Sequence, residues 1–388
     1  MIAYNKSWLD NLNLHHQLEE AYSLGCISKE EWEASKKEYP LGFYSPNLFM
    51  RIGLFILTFI ISSFGLGFCA MLIFSSGAGE HVLGIIAFVL GVIHFFVLEF
   101  WIRKGHFRSG VDDALLWMGA ALLFLAFNMM TTISSLGNSV LVLVIALVCV
   151  LRYIDGGMAV LASLSLFSTI FFAFSNLGGA EKAIAAFFIM AAAAILYLIV
   201  RRIRGQDRFR YYSSCLLLVK ITALVGLYAA ANYYVVKEMS ALMFDLPSQH
   251  TGPLPLGWLF WFLTIAIPIA YIAIGIRRKD VVPLRTGLIL VAATIFTIRY
   301  YYAILPIEFA MVYGGFLLIM IAYGLTKYLK IPRRGFTSEE NKELSVISKI
   351  QVESLVIAEI ASGTAQQIAS PTRFGGGSGG GGGAGGEF

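Results

Sequence analysis

The sequence predicts an all-α fold, a polytopic transmembrane helical bundle of about ten spans, and three observations support this prediction. First, 58% of the residues are hydrophobic and only 14% are charged, whereas soluble domains contain about 25% charged residues. Second, apolar stretches recur along the chain at close to the roughly 20 residues that a helix needs to cross the hydrocarbon core. Third, the basic residues lie in short clusters between those stretches, as they do in membrane proteins. We therefore expect lipid to surround most of the chain.

Ten apolar windows meet the length requirement, although the fourth is short. They cover residues 51–75, 82–101, 114–134, 137–151, 157–175, 183–200, 211–235, 256–276, 282–302 and 306–328. The connection between the third and fourth windows, "SSLGNS", is tight, so these two could also be a single interrupted span.

The distribution of basic residues decides between these alternatives and predicts the orientation. With ten spans, 22 Lys and Arg residues fall on the side of the N-terminus and 3 on the other side. Merging the third and fourth windows would place "RRIRGQDRFR" outside, which the positive-inside rule disfavours. The sequence therefore predicts ten spans with both termini in the cytoplasm.

Four regions follow from these assignments. Residues 1–47 are predicted to form a cytoplasmic helical hairpin, and residues 48–329 form the transmembrane bundle. Residues 330–362 form a cytoplasmic amphipathic segment, and the glycine-rich residues 363–388 cannot bury a core and are expected to be disordered. Because the first 47 residues are polar, we expect no removable signal peptide, and the first span itself directs insertion.

Two helix signals define the hairpin. Gly25 is placed to end the first helix, and Ser28 with Glu31 matches the S-x-x-E capping box that begins the second. Pro40 limits the second helix.

The hairpin segment "LGCISKEEWEASKK" resembles the short helical hairpin of the SHOCT type. A similar hairpin begins a group of uncharacterised bacterial membrane proteins, and tails like "RFGGGSGGGGGAGGEF" end several of them, Bacteroidetes proteins included. Together with "FRSGVDDALLWMGAALLF" after the second span, these segments resemble that family. The resemblance implies a multi-pass protein of a bacterial cytoplasmic membrane, and it implies no activity.

No motif of an ATPase, metalloprotease, serine hydrolase or dinucleotide-binding enzyme occurs in the sequence. The four cysteines lack the spacing of a metal or redox site. We therefore expect no enzymatic activity, no cofactor, no bound metal and no nucleic-acid partner.

Polar residues inside spans are the remaining candidates for a functional site, because they are costly at membrane depth. The candidates are His94, Glu99, Asp112, Asp113, Asn128 and Lys220. Arg299 is expected to be an interfacial anchor near the outer face. Asn128 and Asn232 are expected to link helices by hydrogen bonds.

Lys220 is expected about 13 Å from the cytoplasmic boundary, from the helical rise per residue. Glu99 lies near that boundary and His94 about 10 Å deep, so a Lys220–Glu99 pair is possible. His94 and Glu99 are separated by about 140° around their helix and are not expected to line one cavity. Lys220 and Glu99 could form a proton- or ion-coupled site. Alternatively, Lys220 snorkels to an acidic residue at the interface.

These features predict a non-enzymatic envelope scaffold or signalling component that recruits protein partners through residues 1–47 and 330–388. The alternative is a secondary transporter of a small molecule, and an intramembrane enzyme ranks third. The span number and cytoplasmic termini are similar to those of drug/metabolite-type transporters. Transport predicts a hydrated cavity around Lys220, whereas a scaffold does not need one. The oligomeric state stays open.

Overall fold

A computed structural model describes residues 2–23, 25–75, 79–177, 184–244 and 254–301, together with isolated positions between 312 and 327. Most of the predicted tenth span (306–328) and the two predicted C-terminal segments (330–362 and 363–388) lie outside the described residues. In the described ranges the regular structure is helical, apart from one isolated parallel bridge between Tyr44 and His106.

Twelve α-helices are described within these ranges. They are α1 Lys6–Ser23, α2 Lys29–Glu38, α3 Leu48–Ser75, α4 Glu80–Arg103, α5 Val111–Met130, α6 Ser135–Tyr153, α7 Gly156–Ser175, α8 Ala185–Ile203, α9 Ser213–Ala231, α10 Tyr233–Met243, α11 Gly257–Arg278 and α12 Val281–Tyr301. In the described residues nine helical segments are long and apolar enough to cross a membrane: α3 to α8, α9 together with the short 3₁₀ helix Asp207–Tyr212 before it, α11 and α12. The prediction of an all-α polytopic bundle is confirmed, and the chain is an integral membrane protein.

The third and fourth predicted spans are two separate helices, α5 and α6. The backbone N–H of Gly137 donates a hydrogen bond to Ser134 Oγ at 3.2 Å, and this contact caps the start of α6. The tight "SSLGNS" connection therefore begins a new helix.

The seventh predicted span, 211–235, extends too far at its C-terminal end. Asn232 has an extended backbone (ψ 126°), so α9 ends before it and α10 begins after it. The Asn232 side chain accepts hydrogen bonds from the backbone N–H groups of Tyr234 at 3.0 Å and Val235 at 3.2 Å. Asparagine is a strong N-cap residue, so the helix restarts here although the apolar pattern continues.

The N-terminal segment contacts three connections between spans. The N–H of Ala3 donates to the carbonyl oxygen of Arg152 at the end of α6. The N–H of Tyr44 donates to the carbonyl oxygen of Gly105 between α4 and α5. Asp10 forms an ion pair with Arg210 between α8 and α9. We call this side of the bundle the N-terminal face. Because successive spans are antiparallel, the α11–α12 connection also lies there.

A buried cluster lies beneath the N-terminal segment. Tyr4 and Leu9 of the segment pack with Leu98, Leu116 and Met158 of the bundle, and each is at most 8% exposed. The start of the chain is therefore part of the packed bundle and not a free extension.

Two glycines permit close helix contacts. Gly110 has φ +93°, and a Cβ added there would lie 2.1 Å from the carbonyl oxygen of Arg51 in α3. A Cβ at Gly275 would lie 2.7 Å from the backbone nitrogen of Leu284, so α11 and α12 meet backbone to backbone next to their connection.

The described residues divide into two compact units, 1–15 with 34–310, and 16–33 with the described positions after 310. In the second unit, Gly25 has φ +72°, and the N–H of Cys26 donates to the carbonyl oxygen of Ala21. Ser28 N donates to Glu31 Oε2 at 2.8 Å, and Glu31 N donates to Ser28 Oγ at 3.2 Å. The predicted helix end and capping box are both confirmed.

Candidate functional site

Lys220 of α9 forms an ion pair with Asp280 in the α11–α12 connection. The Lys220 side chain is 6% exposed, and its Nζ lies 2.5 Å from Asp280 Oδ2. Asp280 Oδ1 also accepts a hydrogen bond from the N–H of Val282 at 3.1 Å, so the same carboxylate caps α12. The lysine stem thus runs through the bundle toward the N-terminal face and ends on an acidic residue there, as in snorkelling.

The suggested pairing of Lys220 with Glu99 is wrong. Glu99 Oε1 accepts hydrogen bonds from Arg152 Nε at 2.6 Å and from the Tyr153 hydroxyl at 3.0 Å. Glu99 therefore links α4 to α6. Glu99 and Lys220 lie in the same half of the bundle, toward the N-terminal face, but this does not determine which side of a helix faces which neighbour.

The two aspartates that open α5 have different roles. Asp112 is 2% exposed and accepts hydrogen bonds from the N–H of Arg108, the N–H of Ser109 and the Ser109 hydroxyl, at 2.7 to 2.9 Å. It holds the turn in which Arg108 and Gly110 both have positive φ. Asp113 Oδ2 accepts from Arg51 Nε at 2.9 Å and Nη2 at 2.6 Å, and this contact joins α3 to α5.

A small cavity lies between these groups, and the polar residues that line it are Tyr4, Arg108, Asp112, Asp113, Tyr153 and Asp155. Its volume is about 10 Å³, about what a single water molecule needs. Burial, together with the negative charges of Asp112 and Asp113, raises the pKa of Tyr4 above its ordinary value of 10.0. The cavity is therefore too small for a metabolite and is lined by a neutral tyrosine.

The three carboxylates of this cavity already accept hydrogen bonds from the protein, Asp155 Oδ1 from the N–H of Met158 at 2.7 Å. In the part of the chain that the structure describes, no group of three or more His, Cys, Asp or Glu side chains is arranged to hold a metal ion. The cluster fixes the starts of α5 and α7 at the N-terminal face.

His94 links two helices, α4 and α3. Its Nε2 lies 2.9 Å from Ser62 Oγ of α3, and its Nδ1 lies 2.7 Å from the carbonyl oxygen of Leu90. Since Glu99 contacts α6, His94 and Glu99 engage different neighbours, as their angular separation predicts.

The two candidate cross-linking asparagines behave differently. Asn128 Nδ2 donates to the carbonyl oxygen of Phe124 in its own helix at 2.9 Å, so the expected cross-link at Asn128 is not found. Asn232 Nδ2 donates to Thr297 Oγ1 of α12 and to the Tyr228 hydroxyl, both at 2.9 Å. Asn232 is 2% exposed and joins α9, α10 and α12 on the face opposite the N-terminal face.

Threonines extend this network, although sequence reasoning did not single them out. Thr294 Oγ1 lies 3.0 Å from the Tyr228 hydroxyl and donates to the carbonyl oxygen of Thr264 in α11. Thr264 Oγ1 accepts from the N–H of Tyr233 at 3.0 Å. One sequence signal could have indicated this network: Thr294 and Thr297 are spaced to lie on one face of their helix, and Asn232 is available in another span as a partner.

Aromatic rings cover this network at the same face. Tyr233 stacks on Trp261 with 4.9 Å between ring centroids, and Tyr234 contacts Tyr300 at 4.7 Å. Lys237 Nζ lies 5.1 Å from the Tyr301 ring centroid. Such aromatic and basic groups are typical membrane-interface anchors.

Sequence reasoning also missed the partners Asp280, Arg152 and Arg51. Asp280 interrupts the basic stretch "RRKDVVPLR", and an acidic residue in an otherwise basic turn is a usable signal for a charge partner. No family model matches the chain, and no curated protein or solved structure is significantly similar to it. The role of these residues must therefore be argued from their chemistry.

Proposed function

We propose that the protein is a non-enzymatic scaffold or signalling component of a bacterial cytoplasmic membrane, and that it recruits partners through residues 1–47 and the tail 330–388. Membership of the uncharacterised bacterial family that its hairpin resembles is part of this proposal. One observation supports it most: Tyr4 and Leu9 anchor the start of the chain in the bundle, while no residue of α2 is buried.

The residues that flank the hairpin contact each other. Asn11 Nδ2 donates to the carbonyl oxygen of Pro40 at 3.1 Å, and His15 Nε2 lies 2.7 Å from the carbonyl oxygen of Tyr39. The two ends of the hairpin are thus held together next to the bundle. Of the ten residues of α2, seven are charged, and an exposed charged surface of this kind is suited to a polar protein partner.

The membrane-depth groups favour a scaffold over a carrier. Glu99, Asp113 and His94 each contact another protein group. The cavity beside Asp113 has room for about one water molecule. A carrier must instead expose such groups to a solute or ion path.

Photo-crosslinking in intact cells tests the scaffold. A photoreactive residue at Lys37 is expected to form an adduct with one discrete protein, because α2 is exposed and highly charged. Replacing residues 16–33 with a short glycine–serine linker keeps the contacts of Asn11 and His15 and should abolish that adduct. The same probe at Lys104, on the α4–α5 connection, is the control and should not form it. An adduct that persists after the replacement, or that forms equally at Lys104, would contradict the proposal.

The proposed orientation has its own test. In a chain with Cys26 replaced by serine, Gly205→Cys should resist an impermeant thiol reagent on intact cells and react in inverted vesicles. Thr131→Cys, which lies at the opposite face, should show the reverse. Labelling of Gly205→Cys on intact cells would invert the proposed topology.

A proton- or ion-coupled transporter is the second candidate, and the ion pair of the buried Lys220 with the partly exposed Asp280 favours it, because a carrier could break this pair during transport. Lys220→Met then should abolish the cellular function while replacement of residues 16–33 leaves it intact. The scaffold proposal expects the opposite pattern, so the two variants together separate the candidates.

A further inference from the structure

Two neighbouring connections at the N-terminal face contain a surplus of arginine. The α8–α9 and α11–α12 connections and the helix ends next to them together contribute seven arginine side chains that form no ion pair within the described residues: Arg201, Arg202, Arg204, Arg208, Arg277, Arg278 and Arg285. All except Arg285, which is half-buried, are exposed. We call these seven side chains the arginine surface.

Four other basic residues at this face form ion pairs that hold the bundle together. Arg51, Arg152, Arg210 and Lys220 each have a carboxylate oxygen within 2.5 to 2.8 Å. The bundle therefore supplies an acidic partner where a cation serves packing. The arginine surface has no such partners, so its charge is available to a ligand.

The two connections lie next to each other. Asp280 of the α11–α12 connection reaches Lys220 of α9, and α9 packs against α8, α11 and α12. Asp280 is already engaged by Lys220 and by the N–H of Val282. Asp207 is the remaining acidic residue in the two connections, so the combined surface is strongly positive.

The backbone of the α8–α9 connection is held in place from one side. The Tyr212 hydroxyl donates to the carbonyl oxygen of Leu151 at 2.7 Å, and the Tyr211 hydroxyl donates to Asp10 Oδ2 at 3.2 Å. Arg210 donates to the same oxygen at 2.9 Å. These contacts fix the connection against α6 and the N-terminal segment, while the arginine surface projects from it.

The position of these arginines relative to the spans identifies the ligand. Arg201 and Arg202 are in the last turn of α8, and Arg277 and Arg278 end α11. Side chains at the ends of spanning helices lie at the level of lipid headgroups. Guanidinium groups bind phosphate oxygens in pairs with charge-assisted hydrogen bonds.

We propose that the arginine surface binds the phosphate headgroups of anionic phospholipids in the adjoining leaflet. The surface is continuous with the membrane boundary, which favours a lipid over a soluble anion or an acidic protein. This inference does not depend on which protein partner the hairpin recruits, because none of the seven arginines belongs to the hairpin.

Lipid retention by the full chain tests the proposal. The protein is placed in nanodiscs of equal parts phosphatidylglycerol and phosphatidylcholine, extracted in mild detergent, and analysed for bound lipid by native mass spectrometry. The wild-type protein should retain phosphatidylglycerol in preference to phosphatidylcholine. In Arg201→Gln/Arg202→Gln/Arg204→Gln the ratio of bound phosphatidylglycerol to bound phosphatidylcholine should fall at least roughly fivefold. Each basic residue near an anionic surface strengthens lipid binding by about this factor.

The control removes three positive charges from the exposed helix α2, which is not one of the membrane-spanning helices: Lys29→Gln/Lys36→Gln/Lys37→Gln should retain the lipid preference of the wild type. The charge-preserving variant Arg201→Lys/Arg202→Lys/Arg204→Lys should retain part of the lipid preference. This result would show that the loss in the glutamine variant comes from the missing charge and not from misfolding.

Three results would overturn the proposal: equal loss in the arginine and control variants, equal retention of both lipids by the wild-type protein, or an unchanged preference in the arginine variant. Inorganic phosphate is the additional probe. Its displacement of phosphatidylglycerol at millimolar concentration would assign the surface to a soluble anion and would also overturn the lipid assignment.

Discussion

Lys220 Nζ contacts Asp280 Oδ2 at 2.5 Å, although the two residues are 60 positions apart in the chain. The contact joins α9 to the turn between α11 and α12. A lysine in the middle of an apolar run is thus tolerated because its ammonium group ends on a carboxylate that is 28% exposed. The lysine side chain passes through part of the bundle, and its ammonium group is paired where it ends.

Removing the two partners of this pair should have unequal effects. Asp280→Asn keeps a side chain that can cap α12 but leaves the buried ammonium group without its charge partner. We expect a loss of about 2 kcal/mol of unfolding free energy, less than for a fully buried pair because Asp280 reaches water. Lys220→Met leaves only a partly exposed carboxylate and should cost about 1 kcal/mol or less.

Thermal unfolding in detergent measures both variants. The double variant Lys220→Met/Asp280→Asn should recover most of the stability that Asp280→Asn loses, because it no longer contains a buried unpaired charge. Equal losses in both single variants would show that the pair does not act as described.

Gly110 should not tolerate a side chain. Its φ of +93° disfavours any L-residue, and an added Cβ would meet the carbonyl oxygen of Arg51. We expect Gly110→Ala to lower the unfolding free energy by about 3 kcal/mol. Gly65→Ala in α3 is the matched control, since no atom lies within 4 Å of its added carbon, and it should leave the melting temperature unchanged or raise it. Similar melting temperatures for the two variants would refute the described turn.

Asn232 and Asn128 provide a paired comparison of two span asparagines. Asn232→Ala removes the cap of α10 and the hydrogen bonds to Tyr228 and Thr297, and should cost about 2 kcal/mol in total. Asn128→Ala removes only a contact to its own helix and should cost about 0.5 kcal/mol or less. Denaturation monitored by tryptophan fluorescence gives both values, and a larger cost at Asn128 would contradict the network.

The hairpin should loosen at acidic pH. The hydrogen bond from the backbone N–H of Ser28, together with the Ser28 side chain, lowers the pKa of Glu31 below its ordinary value of 4.5. A carboxyl group with a lowered folded-state pKa stabilises the folded hairpin above its unfolded-state pKa, and this stabilisation is lost as the pH falls through the folded-state value. A nitroxide label at Cys26, in the exposed turn between α1 and α2, should therefore become more mobile below about pH 4.5.

Glu31→Gln is the control for this titration. Glutamine can still form the capping contact, but it does not titrate, so the label mobility should stay constant over the same range. An identical pH response in both proteins would assign the loosening to another group.

Local signals in the sequence were sufficient for much of this fold. The windows 114–134 and 137–151 became two helices because a serine cap and a tight turn lie between them. The capping box of Ser28 and Glu31 formed as expected because its partners are three residues apart. Such features depend on neighbours along the chain, and they can be predicted without knowing the packing.

The candidate site was predicted less well. The sequence correctly singled out Lys220 and Glu99 as polar groups near one face, but it suggested the wrong pairing. Depth along a helix follows from counting residues, whereas the choice of partner depends on the rotation of each helix and on which helices are adjacent. For the same reason Asn232 links two spans and Asn128 does not.

The sequence by itself determined that this chain belongs in a membrane, approximately where its described spans begin and end, and how its hairpin helices are capped, because transfer to lipid and helix capping act on contiguous residues. Only the tertiary structure decided that Lys220 meets Asp280, that Glu99 meets Arg152 and that the N-terminal segment packs on three connections. Those contacts join residues far apart in the chain, and they arise from side-chain packing between helices, which no single stretch of sequence encodes.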